Sequence, residues 1–285
     1  MTFGPLELGL LIATGAVAGA LGALLGIGGG IFVVPVLVLG FHEPAQVAVA
    51  ASLAAVVATS STASSVYVER GLTNMRLGLT LELATTAGAI SGGLTAAVIP
   101  EDAVLWTFAG FAGFVAVLML RREPRKGAGS RRTGREGGED VGRLGGVTRD
   151  PVTGETRTYS VGRVPLGLGA SFVAGNVSGL LGVGGGILKV PVMSIAMGVP
   201  LRVAAATSNL MIGATAAASL VIYLQRGFLF PLVAAPVALG VTAGALLGTR
   251  LSGRFRAAAL ARTFGVVLLV VAAQMALDAS GVWRG

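Results

Sequence analysis

Two ionisable side chains interrupt stretches that are otherwise apolar: Glu82 within LTLELA and Lys189 within ILKVPV. A lysine held in hydrocarbon needs a partner or a purpose. Two readings stand for Lys189: its ammonium snorkels to the nearest surface, or it neutralises an anionic substrate. Glu82 also has two readings. It either carries a proton that couples transport to a gradient, or it is an acid near the cytoplasmic end paired with Arg76. Three residues before Lys189 ends the run GVGGG of residues 182–186, and an equivalent run, GIGGG, occupies residues 26–30.

Glycine is among the worst helix formers, yet both runs lie where an apolar chain most needs a helix to satisfy its backbone. A break at membrane depth survives only when buried in protein or lining a wet cavity. A half-helix starting at Ile31 or Ile187 directs free N–H groups and the positive end of its dipole inward, and glycine lets a ligand come close to the backbone. That arrangement attracts an anion. The plainer reading is that the glycines allow close helix packing. Hydroxyl and amide side chains at matching places extend the candidate site. On the anion reading, Gly28, Gly29, Gly30, Ser52, Asn176, Gly184, Gly185, Gly186, Lys189, Thr207, Ser208 and Asn209 surround one small anion, with Glu82 as the proton-coupling residue. Each Ser or Thr can equally bond its own helix backbone.

The chain holds no cysteine and a single histidine, His42, in a loop beside Glu43. There is no H-E-x-x-H, no G-x-S-x-G and no pair of intramembrane aspartates. The glycine runs are not nucleotide loops, because no soluble strand precedes them and no G-K-S/T follows. The expectation is a protein that is not an enzyme, with no metal and no cofactor.

The elements that position these residues follow from composition. The 285 residues are 54% hydrophobic and 12% charged, with a mean hydropathy of +0.83; about 25% charged is usual in soluble domains. This is a polytopic membrane protein whose lateral partner is lipid. The net charge of +8 is concentrated between Arg121 and Arg163, which reads as a cytoplasmic loop and not as a nucleic-acid surface.

Shifting the chain by 156 residues lays Pro35 on Pro191, Pro44 on Pro200, Ser52 on Ser208, Thr59 on Thr215 and YVERG on YLQRG. The chain is a tandem duplication. Four apolar blocks recur in each copy: 6–40, 46–68, 77–99 and 103–120, then 164–198, 203–224, 229–249 and 262–279. The first block of each is too long for one crossing and is broken by glycines, with a proline five residues on. It reads as re-entrant or discontinuous. Residues 1–122 form the first transmembrane repeat, 123–162 a charged cytoplasmic linker with room for a hairpin about DPVTGE, and 163–285 the second repeat. Arg70 and Arg76 favour the inside, Glu101 and Asp102 the outside, and the basic residues of 250–262 with Arg202 the inside again. Matching loops thus prefer opposite sides, so the repeats are expected to be inverted, with both termini outside. The fold class is all-α, in two inverted repeats.

The doubled L-L-G-[IV]-G-G-G-[IL]-x-x-V-P motif, followed by the hydroxyl-bearing stretch and the Y-x-x-x-G ending, resembles the sulfite exporter TauE/SafE family, also called the 4-toluene sulfonate uptake permease family. The resemblance covers residues 10–120 and 164–279. It implies a permease of a bacterial-type inner membrane that moves sulfite, thiosulfate, sulfoacetate or another sulfonate. Gradient coupling is the expected mode and a passive anion channel the alternative; a homodimer is compatible with either.

Overall fold

The computed structural model describes residues 4–25, 28–121, 143–149, 156–251 and 257–280. Most of the linker expected over 123–162, both chain ends and the middle of the basic 250–262 loop lie outside the described residues. The first repeat contains α1 (Pro5–Leu25), α2 (Gly30–Pro35), α3 (Ala45–Glu69), α4 (Met75–Ala96) and α5 (Glu101–Arg121). Strands β1 (Gly146–Arg149) and β2 (Thr156–Tyr159) follow. The second repeat contains α6 (Val164–Leu181), α7 (Gly186–Pro191), α8 (Leu201–Gln225), α9 (Pro231–Leu251) and α10 (Ala257–Ala279). Among the described residues six helices are long and apolar enough to cross a membrane: α1, α3, α5, α6, α8 and α9. The chain is therefore an all-α polytopic membrane protein, apart from the short hairpin.

Element boundaries have local causes. Pro44 and Pro200 precede α3 and α8, where a missing N–H leaves no helical bond unmade. The N–H of Ala45, orphaned at the start of α3, donates to Glu101 Oε1 at 2.8 Å. Asn74 caps α4 by accepting from the Leu77 N–H at 3.0 Å. Pro35 and Pro191 cannot donate into their helices, and a π turn follows each, over Val36–Gly40 and Val192–Ala196.

Packing crosses between the copies. Helix α1 lies on α9, and its counterpart α6 lies on α4, through small residues in both cases. An added Cβ would come within 2.2 Å of the Val241 carbonyl at Gly19 and within 2.0 Å of the Thr85 carbonyl at Gly175. Those two glycines are 156 residues apart. Gly88 faces Phe172 while Gly92 faces Asn176, so α4 and α6 run parallel. Gly113 faces Ala272 while Gly265 faces Ala116 and Leu120, so α5 and α10 run antiparallel.

The hairpin pairs Gly146 with Tyr159 and Arg149 with Thr156. It is tied to the α3–α4 turn through one side chain: Asn74 Nδ2 donates to Leu144 O and to the Tyr159 hydroxyl, each at 2.9 Å. Burial lifts the Tyr159 phenol above its ordinary value, against the pull of the Asn74 amide. A cavity of about 300 Å³ separates residues 71–76 from Gly145, Gly146, Val147 and Tyr159. Asn74→Ala removes the cap of α4 and both ties at once. The expected loss is about 1–2 kcal/mol from the cap, with faster tryptic cleavage between residues 143 and 163. An unchanged cleavage rate would mean that the hairpin is held by other contacts.

Candidate functional site

The second glycine run is a chain reversal built from left-handed backbone. Gly182, at φ 71°, ends α6 with its N–H on Ser178 O, and Gly185, at φ 67°, opens α7. An added Cβ on Gly185 would lie 2.7 Å from Ala174 O; its counterpart Gly29, at φ 72°, would meet Ala18 O at 2.8 Å. Backbone conformation and close packing both demand glycine at these two positions. Close approach of a ligand is not needed to explain them.

The two runs touch. The Ser52 hydroxyl, buried on α3, has Gly182 O at 2.8 Å and Gly30 O at 3.1 Å as acceptors, and shares its one proton between the two copies. At Gly30 a Cβ would lie 2.3 Å from Gly182 O. Gly28 faces Val56 of α3 and Ile212 of α8, which occupy matching places in the repeats. Gly30 and Ser52 are thus brought to the second run, while Gly28 lies against α3 and α8.

Lys189 does not snorkel. It is 2% exposed, and its Nζ donates to Thr215 Oγ1 at 3.0 Å. That hydroxyl in turn has Glu82 Oε1 at 2.8 Å and Met211 O, one turn back on α8, also at 2.8 Å. Thr86 Oγ1 donates to Glu82 Oε1 at 3.2 Å, and Glu82 Oε2 is buried with no hydrogen-bond partner. Glu82 therefore bonds Thr86 and Thr215, not Arg76. A base from α7 and an acid from α4 meet across one threonine of α8.

Four buried hydroxyls lack partners among the described residues, those of Ser64, Thr73, Ser178 and Ser208, and the last two belong to the second repeat. Ser178 Cβ lies 3.4 Å from the place a Cβ on Gly185 would take. Ser208 stands in the second repeat where Ser52 stands in the first. The other residues singled out from sequence have different partners. Asn176 Nδ2 reaches Ser91 of α4 at 2.9 Å. Thr207 Oγ1 takes the Asn74 N–H at 3.0 Å. Asn209 Nδ2 bonds Ala205 O at 3.1 Å, and its own carbonyl accepts from Ser60.

Nothing in the sequence alone brings Glu82 and Lys189 together or gives Thr215 a role in joining them. One signal was present. Glu82 matches Ala238 in the other repeat and Lys189 matches Val33, so at these two positions each repeat holds an ionisable group, of opposite sign, that its copy lacks.

The family model for sulfite exporter TauE/SafE matches residues 11–275. A probable membrane transporter protein of Bacillus subtilis (strain 168), YunE, is 26% identical over 276 residues, covering 93% of this chain and 96% of its own. A probable membrane transporter protein of Xylella fastidiosa (strain 9a5c) is 27% identical, covering 96% and 94%. A second Bacillus subtilis protein with that description, YdhB, is 24% identical, covering 85% and 89%. No solved structure matches the chain significantly. With almost its whole length inside the family match, the chain belongs to the sulfite exporter TauE/SafE family.

Proposed function

We propose that this protein is a secondary permease that moves a small sulfur-containing anion, such as sulfite, thiosulfate, sulfoacetate or another sulfonate, across a bacterial plasma membrane, driven by an ion gradient. The observation that carries this reading is Lys189: an ammonium sealed inside an apolar bundle, on a short helix that opens at a chain reversal. A buried cation of this kind marks a substrate or ion path. Ser178 and Ser208, buried without partners near the start of that helix or at the repeat position matching Ser52, are donors that an oxyanion would satisfy. The weight of the site thus moves from the glycine N–H groups to Lys189 and these hydroxyls of the second repeat.

The repeats are read as inverted, each with a glycine-broken first block. The antiparallel course of α5 and α10 and the contact of the two runs through Ser52 support this reading. Loop charges support a cytoplasmic linker, with both termini outside.

Purified protein in liposomes, offered labelled sulfite, thiosulfate and sulfoacetate with and without a pH gradient, tests the function. Accumulation of one anion beyond its equilibrium distribution is the expected result. Flux that stops at equilibrium under every gradient would make the protein a channel, and no flux of any of these anions would remove the reading.

A further inference from the structure

The connection between Lys189 and Glu82 has a property that neither residue has alone. Their charges sum to zero, so the empty site has no net charge although it is buried. Thr215 accepts from the ammonium and has one proton to give. Two acceptors compete for that proton at the same 2.8 Å: Glu82 Oε1 and Met211 O. The hydroxyl can therefore leave the carboxylate and keep a full hydrogen bond. Glu82 Oε2, buried and unpartnered, is the oxygen able to take up a proton.

Resting on the permease reading, we propose that the substrate anion displaces Glu82 as the counter-ion of Lys189, and that Glu82 then takes one proton, so that one proton moves with each singly charged anion and Thr215 positions the exchange. Before binding, the site holds one ammonium and one carboxylate. After binding, it holds one ammonium, one substrate anion and a neutral carboxylic acid, with the proton drawn from the side that delivers the anion and placed on Glu82 Oε2. Net charge is zero in both states. A buried site bearing an unpaired anion is strongly disfavoured, which makes binding without the proton the unfavourable path. Release on the far side returns the proton and restores the Thr215 bond to Glu82.

Few other charges bear on Glu82. Helix α6, packed against α4, carries no ionisable side chain between Val164 and Leu181. On α8 the only ones are Arg202, in the first turn, and Tyr223, whose hydroxyl donates to Gly179 O at 3.0 Å. Helix α4 itself adds only Arg76, in its first turn, and α7 adds Lys189.

The test uses liposomes containing the full chain, an internal pH dye, and labelled methanesulfonate and sulfite as probes. Methanesulfonate stays singly charged at every working pH, so a proton that moves with it moves on the protein. One proton per methanesulfonate is expected in the wild type, with accumulation rising about tenfold per unit of pH difference. Glu82→Gln should remove the proton and the accumulation while anion-for-anion exchange persists. Thr215→Val should flatten the pH profile of accumulation while exchange persists, and Thr215→Ser should restore it. Elution as a single species in detergent establishes that each variant has folded, and the near-isosteric Glu82→Gln carries the test if Thr215→Val does not fold. Protons still accompanying methanesulfonate in Glu82→Gln, or a wild-type pH profile in Thr215→Val, would overturn the proposal. Probe flux without protons in the wild type would overturn it and leave the permease standing. No flux of either probe would overturn the proposal, and the permease reading falls with it if thiosulfate and sulfoacetate do not move either.

Discussion

Lys189→Met is expected to weaken anion binding by about a hundredfold or more in protein that still folds. Truncating one partner of a buried, hydrogen-bonded charge pair costs about 2–5 kcal/mol, and Lys189, 2% exposed, has no water to replace the lost contact. Methionine keeps the length and apolar body of the side chain, so packing of α7 against α8 is largely retained. The substitution has a second consequence, which separates it from a simple loss of packing. It leaves Glu82 buried without its cation, and an uncompensated buried charge is destabilising. The double variant Lys189→Met with Glu82→Gln should therefore be more stable than Lys189→Met alone, yet no better at binding. Calorimetric titration of purified protein with sulfite, together with unfolding midpoints of the four proteins in the cycle, measures both effects. Wild-type affinity in folded Lys189→Met would move the anion site elsewhere. A double variant no more stable than the single one would show that the two groups are energetically independent.

Much of the architecture was legible because a membrane imposes it. Apolar runs of about 20 residues become helices since no other element satisfies its backbone in lipid. The block expected at 46–68 corresponds to Ala45–Glu69, and the one at 203–224 to Leu201–Gln225. The site was legible only as a set of residue types. Proximity in sequence suggested that Asn176 serves the glycine run six residues on, but the turn of α6 carries it onto Ser91 of α4. The Lys189–Thr215–Glu82 connection joins residues 107 positions apart on helices of different repeats. Its register depends on α4 and α8 running parallel, with Asn74 beside Thr207 and Glu82 beside Thr215. Helical periodicity within one segment contains no information about that register. The glycines show the reverse case. Their number and spacing were evident, but whether each serves a ligand, a left-handed turn or a helix contact depends on what stands opposite, and that is a tertiary fact.

The glycines of the inter-repeat contacts give the clearest structural test. At Gly88 an added Cβ would lie 2.0 Å from Phe172 O, at Gly244 it would lie 1.9 Å from Ala16 O, and at Gly110 of α5 it would meet nothing within 4 Å. Backbone is what stands opposite the first two, so no rotamer change can relieve the clash; the helices themselves must separate. Separation removes close contact along the whole α4–α6 or α1–α9 seam, where dispersion and Cα–H···O contacts replace the hydrophobic drive that lipid cannot supply. Gly88→Ala and Gly244→Ala should each destabilise the protein by about 3 kcal/mol, the upper part of the overpacking range. Gly110→Ala should be neutral or stabilising by up to about 1 kcal/mol, because alanine is the better helix former. All three substitutions add one methyl group to a helix, so composition and hydropathy change identically and only the opposing atoms differ. Unfolding midpoints in one detergent compare them directly. Equal midpoints for Gly88→Ala and Gly110→Ala would mean that α4 and α6 do not pack backbone to backbone.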